Sequence, residues 1–325
     1  MTQETLLEIK KTQRNRSLKK YLFVVSILII PFISFSVFYV YLNTSSFVLA
    51  FQKVDILGRY SLADYWGFGN FVKIIQGYTD SSSSVQILLC LKNSFKMWWI
   101  NFLISNPLYL IFSYYICKKF AGHKIFKILV MLPSIVSGFI YAMVYKKFID
   151  FALPGIMNSW GFEKFPNLIN DDRYAYGNGI FYTIWLSFGT SILVYTNAMN
   201  NVGDEIIESA QLDGCNNTQE FFQIVFPIMW PTLATMITTG VASMFTVSGP
   251  LMAFYMTSAP PHIWGFGYYM QVMVKNGAGN SNTAANFTAY PMVAASGLLV
   301  SVVTLPIVFF TKWLTGKFDR TEDFA

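Results

Sequence analysis

EIIESAQLDGCNNTQEFFQIVFP, Glu205 to Pro227, is the long polar insert that interrupts runs of membrane-type sequence. It holds the acids Glu205, Glu208, Asp213 and Glu220 and no lysine or arginine, with Gly214 at a helix-stop position and Pro227 opening the next apolar run. Gly203 or Asp204 can cap a short helix over Glu205–Leu212, and the acids of its first turn complement the helix dipole. Ile206, Ile207 and Ala210 fall on one face of that helix, with Glu208 and Gln211 to the side. Gly214 suits the left-handed position that ends a helix, and Asn217 or Thr218 can start a second helix ending before Pro227. Two readings are open at this level. The insert is either a docking surface whose apolar ridge and acidic flanks fit a groove on another protein, or a solvated turn between helices.

The flanking sequence decides for a membrane protein. Of 325 residues, 54% are hydrophobic, 18% aromatic and 12% charged, whereas about 25% are charged in soluble domains. Apolar runs long enough to cross the hydrocarbon are read at about 21–43, 94–117, 126–145, 179–199, 228–256 and 290–311. The expected fold is therefore an all-α integral membrane protein of six transmembrane helices. Residues 1–20 form a basic N-terminus, 21–315 the membrane domain, 200–227 the polar loop and 316–325 a tail. Lys10, Lys11, Arg14, Arg16, Lys19 and Lys20 precede the first span, Lys118, Lys119, Lys124 and Lys127 follow the second, and Lys312, Lys317 and Arg320 follow the sixth. The positive-inside rule then places both termini and the insert in the cytoplasm. The first apolar run is too long for a cleaved signal peptide and reads as an anchor. Segments 44–92, 146–177 and 258–287 are expected as outside loops, with a short helical piece over 70–76 and Cys90 in the first of them.

The fifth run carries Thr232, Thr235, Thr238, Thr239, Ser243, Thr246 and Ser248 beside Gly240, Gly249 and Pro250. Such a helix packs against other helices or lines a wet path, since lipid offers hydroxyls no partner. Polar and aromatic span residues that could line a solute path are Asn197, Tyr195, Thr235, Thr239, Ser243, Ser248 and Phe245, although hydroxyls at helical spacing more often serve packing.

Several functions are excluded or weakened. The net charge of +6 collects beside apolar runs, where it orients the chain, so nucleic acid is not expected as a partner. Two histidines and three scattered cysteines give no metal constellation, and none of the three cysteines is placed to pair. The chain has no GxxxxGK[ST] or GxGxxG string and so no nucleotide cradle of its own. No expected span holds Asp, Glu, Lys or Arg away from its edges, which weakens a carrier driven by an ion gradient. A membrane enzyme lacks a buried carboxylate, histidine or metal set. Energy is therefore expected to enter from a partner at the insert.

At this point the residues resemble a family. Glu208-Ser209-Ala210, Asp213-Gly214 and then Ile224 and Pro227 resemble the EAA loop of the permease subunits of binding-protein-dependent ABC importers. The spacing pattern is EAA(x2)DG(x10)I(x2)P when allowance is made. Gly67 to Phe71 (GFGNF), Leu91 to Phe95 (LKNSF), Met131 to Ser134 (MLPS) and Trp185 resemble further stretches of the carbohydrate-uptake, maltose-type group. Ser209, Cys215 and Phe226 depart from the pattern with small or apolar replacements, and Thr257 to Pro260 (TSAP) stands where such permeases commonly show TxGGP.

The resemblance implies a permease subunit of an ATP-driven importer in the cell membrane of a prokaryote, translocating a sugar or oligosaccharide. A second permease, two cytoplasmic ATPase subunits and an extracytoplasmic solute-binding protein would be its partners, with lipid around it. ATP and Mg would sit on the ATPase, leaving no cofactor and no catalysis on this chain. Glu208 would contact the ATPase, Gly214 would give the turn, Ile206, Ile207 and Ala210 would fill its groove, and Asp213, Ile224 and Pro227 would complete the coupling element. The alternatives are an ABC permease for another small solute and a gradient-driven carrier.

Overall fold

The computed structural model describes residues 3–53, 65–79, 84–162, 165–279 and 289–319. The Ser81–Ser83 part of the serine run, the Asp55–Asp64 part of the first outside segment, residues 280–288 and the end of the tail from Arg320 lie outside the described residues. The described residues are helical almost throughout, with one isolated bridge between Gln52 and Tyr65. Helix α1 (Gln3–Phe35) passes through a π turn into α2 (Leu42–Leu49), so the first apolar run is helical over Lys19–Leu49, past the expected end at Asn43. Its side chains from Tyr21 to Leu42 are almost all exposed, which suits a helix bathed in lipid. α3 (Gly69–Thr79) contains the expected helical piece.

Helix α4 (Ser84–Cys117) starts well before the expected boundary near Ser94, because Val85–Leu91 is apolar enough to continue it. Cys90 is correspondingly a fully buried residue of α4 and not part of a loop. Lys92 and Lys96 thereby lie within this helix, near its first end.

The third apolar run is not one continuous span. α5 (His123–Ile135) and α6 (Gly138–Lys147) are bent 101° apart, and the second limb runs on through a π turn into α7 (Leu153–Ser159). Pro133 cannot donate to its helix, Val136 is extended, and Ser137 and Gly138 are poor helix formers. Helix α8 (Asp172–Asn200) takes in part of the expected outside segment. Asp171 caps it, accepting from the Arg173 N–H at 3.0 Å and pairing with the Arg173 guanidinium at 3.0 Å. Those hydrogen bonds from Arg173 hold the Asp171 carboxyl below the usual carboxylate range.

Two short helices of the insert, α9 (Asp204–Leu212) and α10 (Asn217–Glu220), lead through a π turn into α11 (Phe226–Ser243). α11 ends at Ser243, short of the expected Met256. Gly249 precedes Pro250, and a residue before proline is pushed out of the helical region. The short α12 (Leu251–Tyr255) follows this break.

The expected loop after it instead contains α13 (Phe266–Gly279). Tyr268 of α13 is fully buried, and a Cβ on Gly267 would lie 2.4 Å from the Thr246 carbonyl oxygen, so α13 begins hard against the break in the fifth run. The Ser94 hydroxyl accepts from the Phe266 N–H at 2.8 Å, and the Asn93 amide donates to the carbonyls of His262 and Trp264 at 2.7 and 3.0 Å. The residues of the LKNSF stretch thus fasten this segment to α4. Asn70 of the GFGNF stretch does the same for the end of α2, donating to the Ala50 and Gln52 carbonyls.

Helix α14 (Ala289–Lys317) closes the described chain. Among the described residues, five helices are long and apolar enough to cross a membrane, or six if the bent α5–α6 pair counts as one span. The largest core lies where α4, α8 and the start of α11 meet: Tyr109, Ile116, Ile192, Tyr195, Met199, Val225 and Met229.

Candidate functional site

The insert folds as its caps dictate. Asp204 and Glu205 occupy the first turn of α9, whose N-cap is Gly203. Gly214 adopts φ +83°, which a side chain would resist, and the Cys215 N–H then reaches the Ala210 carbonyl at 3.0 Å. The second helix starts at Asn217, as expected, and Asn216 caps it in a reciprocal pair with Gln219 at 2.8 and 3.0 Å. That helix does not stop before Pro227. The π turn closes with the Phe226 N–H bonded to the Phe221 carbonyl, so Pro227 falls in the first turn of α11, where its missing N–H costs little.

The apolar side of α9 is turned inward. Ile207 packs on the main core and Ala210 is half-buried, while Ile206 is 43% and Leu212 89% exposed. Ile224 and Pro227 are also half-buried, and Ile224 packs on the same core. Outward lie Glu205, Glu208, Ser209 and Leu212, with Asp213 and Gly214 at the turn. Of the expected ridge of Ile206, Ile207 and Ala210, Ile207 seats α9 on its own bundle and Ile206 is left open. Leu212, one helical turn after Glu208, could have been found by carrying the helix periodicity to the end of α9.

Glu220 is the acid that composition could not distinguish from the others. Its side chain is 1% exposed and forms an ion pair with Lys118 at 2.8 Å, Lys118 being 16% exposed. Tyr114 donates to its other oxygen at 3.1 Å, and Gln211 donates at 3.3 Å to the oxygen that pairs with Lys118. The Tyr114 hydroxyl is also 2.9 Å from the Asn217 carbonyl.

Deeper in the bundle, α4, α8, α11 and the break after Ser243 enclose a cavity of about 310 Å³. α4 contributes Trp98, Asn101, Ser105, Asn106 and Tyr109, and α8 contributes Ser187 and Tyr195. Asn106 accepts from the Tyr195 hydroxyl at 2.8 Å, and Tyr109 and Ser187 share a hydrogen at 2.6 Å. No lining residue is charged. Indole and phenol faces beside amides and hydroxyls suit a neutral polyhydroxylated solute.

Of the residues expected along a solute path, Tyr195, Ser243 and Ser248 line this cavity. Asn197, Thr235 and Thr239 are exposed elsewhere, and the two threonines bond back to the Pro231 and Thr235 carbonyls of their own helix. Phe245 is buried in a separate cluster. The α4 residues were missed because that run reads as ordinary apolar span, yet Asn101, Ser105, Asn106 and Tyr109 recur at spacings that keep them near one face.

A helical membrane domain with an uncharged, partly aromatic cavity and an acidic two-helix insert fits the class of solute-transporting membrane subunits. Residues 95–321 match the family described as binding-protein-dependent transport system inner membrane component, and the chain belongs to that family. It is similar to the arabinooligosaccharides transport system permease protein AraP of Bacillus subtilis, 23% identical over 89% of this chain and 87% of the relative. AraP of Halalkalibacterium halodurans is 24% identical over 91% and 89%. The maltose/maltodextrin permease MalF of Vibrio vulnificus is 21% identical over 46% of this chain and 28% of its own. In fold the chain is similar to a bacterial ABC transporter involved in import of the acidic polysaccharide alginate. That match has a TM-score of 0.72 at 18% identity and covers 94% of this chain and 99% of the other.

Proposed function

We propose that this permease subunit passes a neutral sugar or oligosaccharide through the plasma membrane of a prokaryote, and that an ATPase docked on the Glu205–Pro227 insert drives it. The observation that carries the solute class is the uncharged cavity walled by Trp98, Asn101, Asn106 and Tyr195. Relatives named for arabinooligosaccharide and maltose transport support it. A solute-binding protein delivers the sugar on the outer side. A similar structure in complex with an alginate pentasaccharide-bound periplasmic protein supports that partner.

A second, similar permease completes the pathway, and two ATPase subunits bind ATP and Mg. Both termini and the insert face the cytoplasm, in keeping with the basic residues beside the apolar runs. Docking uses the outward face of α9, with Glu208 making a charge-assisted contact and Leu212 and Ile206 supplying apolar area. Gly214 sets the angle between α9 and α10.

The test is copurification of an ATPase subunit with the tagged chain, together with uptake in membrane vesicles. Glu208→Lys or Gly214→Asp is expected to abolish both the copurification and the uptake while the protein remains in the membrane. Uptake driven by an ion gradient with no ATPase present would overturn the reading in favour of a secondary carrier.

A further inference from the structure

We propose that the Lys118–Glu220 ion pair is a positioning device that locks the insert to the cavity wall, so that a displacement of the insert is delivered to α4. The proposal rests on the reading that an ATPase docks on the insert. The Glu220 carboxylate is held from three directions: by Lys118 at 2.8 Å and Tyr114 at 3.1 Å from the end of α4, and by Gln211 at 3.3 Å from α9. Glu220 itself ends α10, which continues through the π turn into α11. One buried carboxylate therefore joins the docking helix to both walls that supply Asn101 and Asn106 on one side and Gly240 and Ser243 on the other.

A buried ion pair adds little stability over a well-packed apolar pair of similar volume. Its charge-assisted bonds are directional, however, and resist sliding of one element past another where apolar contacts would allow it. The apolar contacts of Ile207 and Phe221 with the main core hold the insert against the bundle, and the carboxylate fixes where along α4 it sits.

The experiment measures the distance between spin labels at Thr218 on α10 and Leu103 on α4. Both positions are exposed, and Leu103 lies outside the cavity lining. The native cysteines are replaced, and the assembled transporter with its ATPase is compared with and without Mg-ATP. With the pair intact, and in Lys118→Arg, the distance is expected to stay constant on adding Mg-ATP. In Glu220→Gln and in Lys118→Met it is expected to shift by about 2 Å or more, the scale of helix shifts at switching interfaces.

Two variants that remove opposite partners, each checked by thermal melting, guard against a fold defect in either one. A distance that changes in the intact protein, or that stays constant in both variants while the ATPase copurifies, overturns the lock and leaves docking standing. Failure of the ATPase to copurify even with the unaltered chain overturns the docking reading, and the proposal with it.

Discussion

The Tyr195 hydroxyl donates to the Asn106 side-chain oxygen across 2.8 Å, joining α8 to α4 in the wall of the cavity. Tyr195→Phe leaves that oxygen without its partner at a loss of about 0.5–1.5 kcal/mol. The melting temperature in detergent should fall accordingly, and the KM for uptake should rise because the Asn106 amide loses its fixed orientation. An unchanged KM would remove Asn106 from the solute path.

Gly267 meets the Thr246 carbonyl so closely that a Cβ would stand 2.4 Å from the oxygen. Gly267→Ala is expected to destabilise by about 1–3 kcal/mol through overpacking against backbone. Gly155→Ala, where nothing lies within 4 Å, should instead be neutral or stabilising by about 0.5–1 kcal/mol. Paired thermal melts check the contrast, and equal effects at the two positions would contradict the close approach of α13 to the break in the fifth run.

The two sides of α9 should separate stability from partner binding. Ile207→Ser removes packing from the main core and is expected to cost roughly 1–3 kcal/mol. Leu212→Ser, at a residue 89% exposed, should leave the melt unchanged and weaken ATPase copurification. Loss of copurification with Ile207→Ser at unchanged stability, together with no effect of Leu212→Ser, would reverse the assignment of the two faces.

Asp171 caps α8 and pairs with Arg173, and its carboxyl is held below the usual range. A carboxyl with a depressed folded pKa contributes stability that is fully present above its unfolded pKa and is lost as pH falls through the folded pKa. Asp171→Asn retains a capping oxygen but not the charge. The difference in melting temperature between the original and Asp171→Asn should therefore be present at neutral pH and shrink as pH drops below the ordinary carboxylate range. A difference that stays constant with pH would show that the charge contributes nothing.

The membrane class and the helix–turn–helix of the insert were legible because each rests on local signals: unbroken apolar length, Gly214 at a left-handed turn, and a second helix that starts at Asn217. The breaks were harder to place. Pro31, Pro107, Pro231 and Pro306 lie inside continuous helices, while Pro133 and Pro250 stand beside breaks. The difference lies in the neighbours, Ser137–Gly138 in one case and Gly249 in the other. The burial of Glu220 depends on Lys118 and Tyr114, about a hundred residues earlier, and the inward turn of Ile207 on the core built from distant helices. Periodicity along α9 defines its faces but not which of them meets the bundle.

α4 is pinned near both ends, by Asn93 to the His262 and Trp264 carbonyls and by Lys118 to Glu220. About 37 Å of helix, at 1.5 Å per residue, separates the two pins. Pro107 sits inside that length and withholds the hydrogen bond that would stiffen the turn before it. Even with that softer turn, a rod held at both ends does not slide lengthwise, so Asn101 and Asn106 keep their height in the bundle as long as the insert keeps its own.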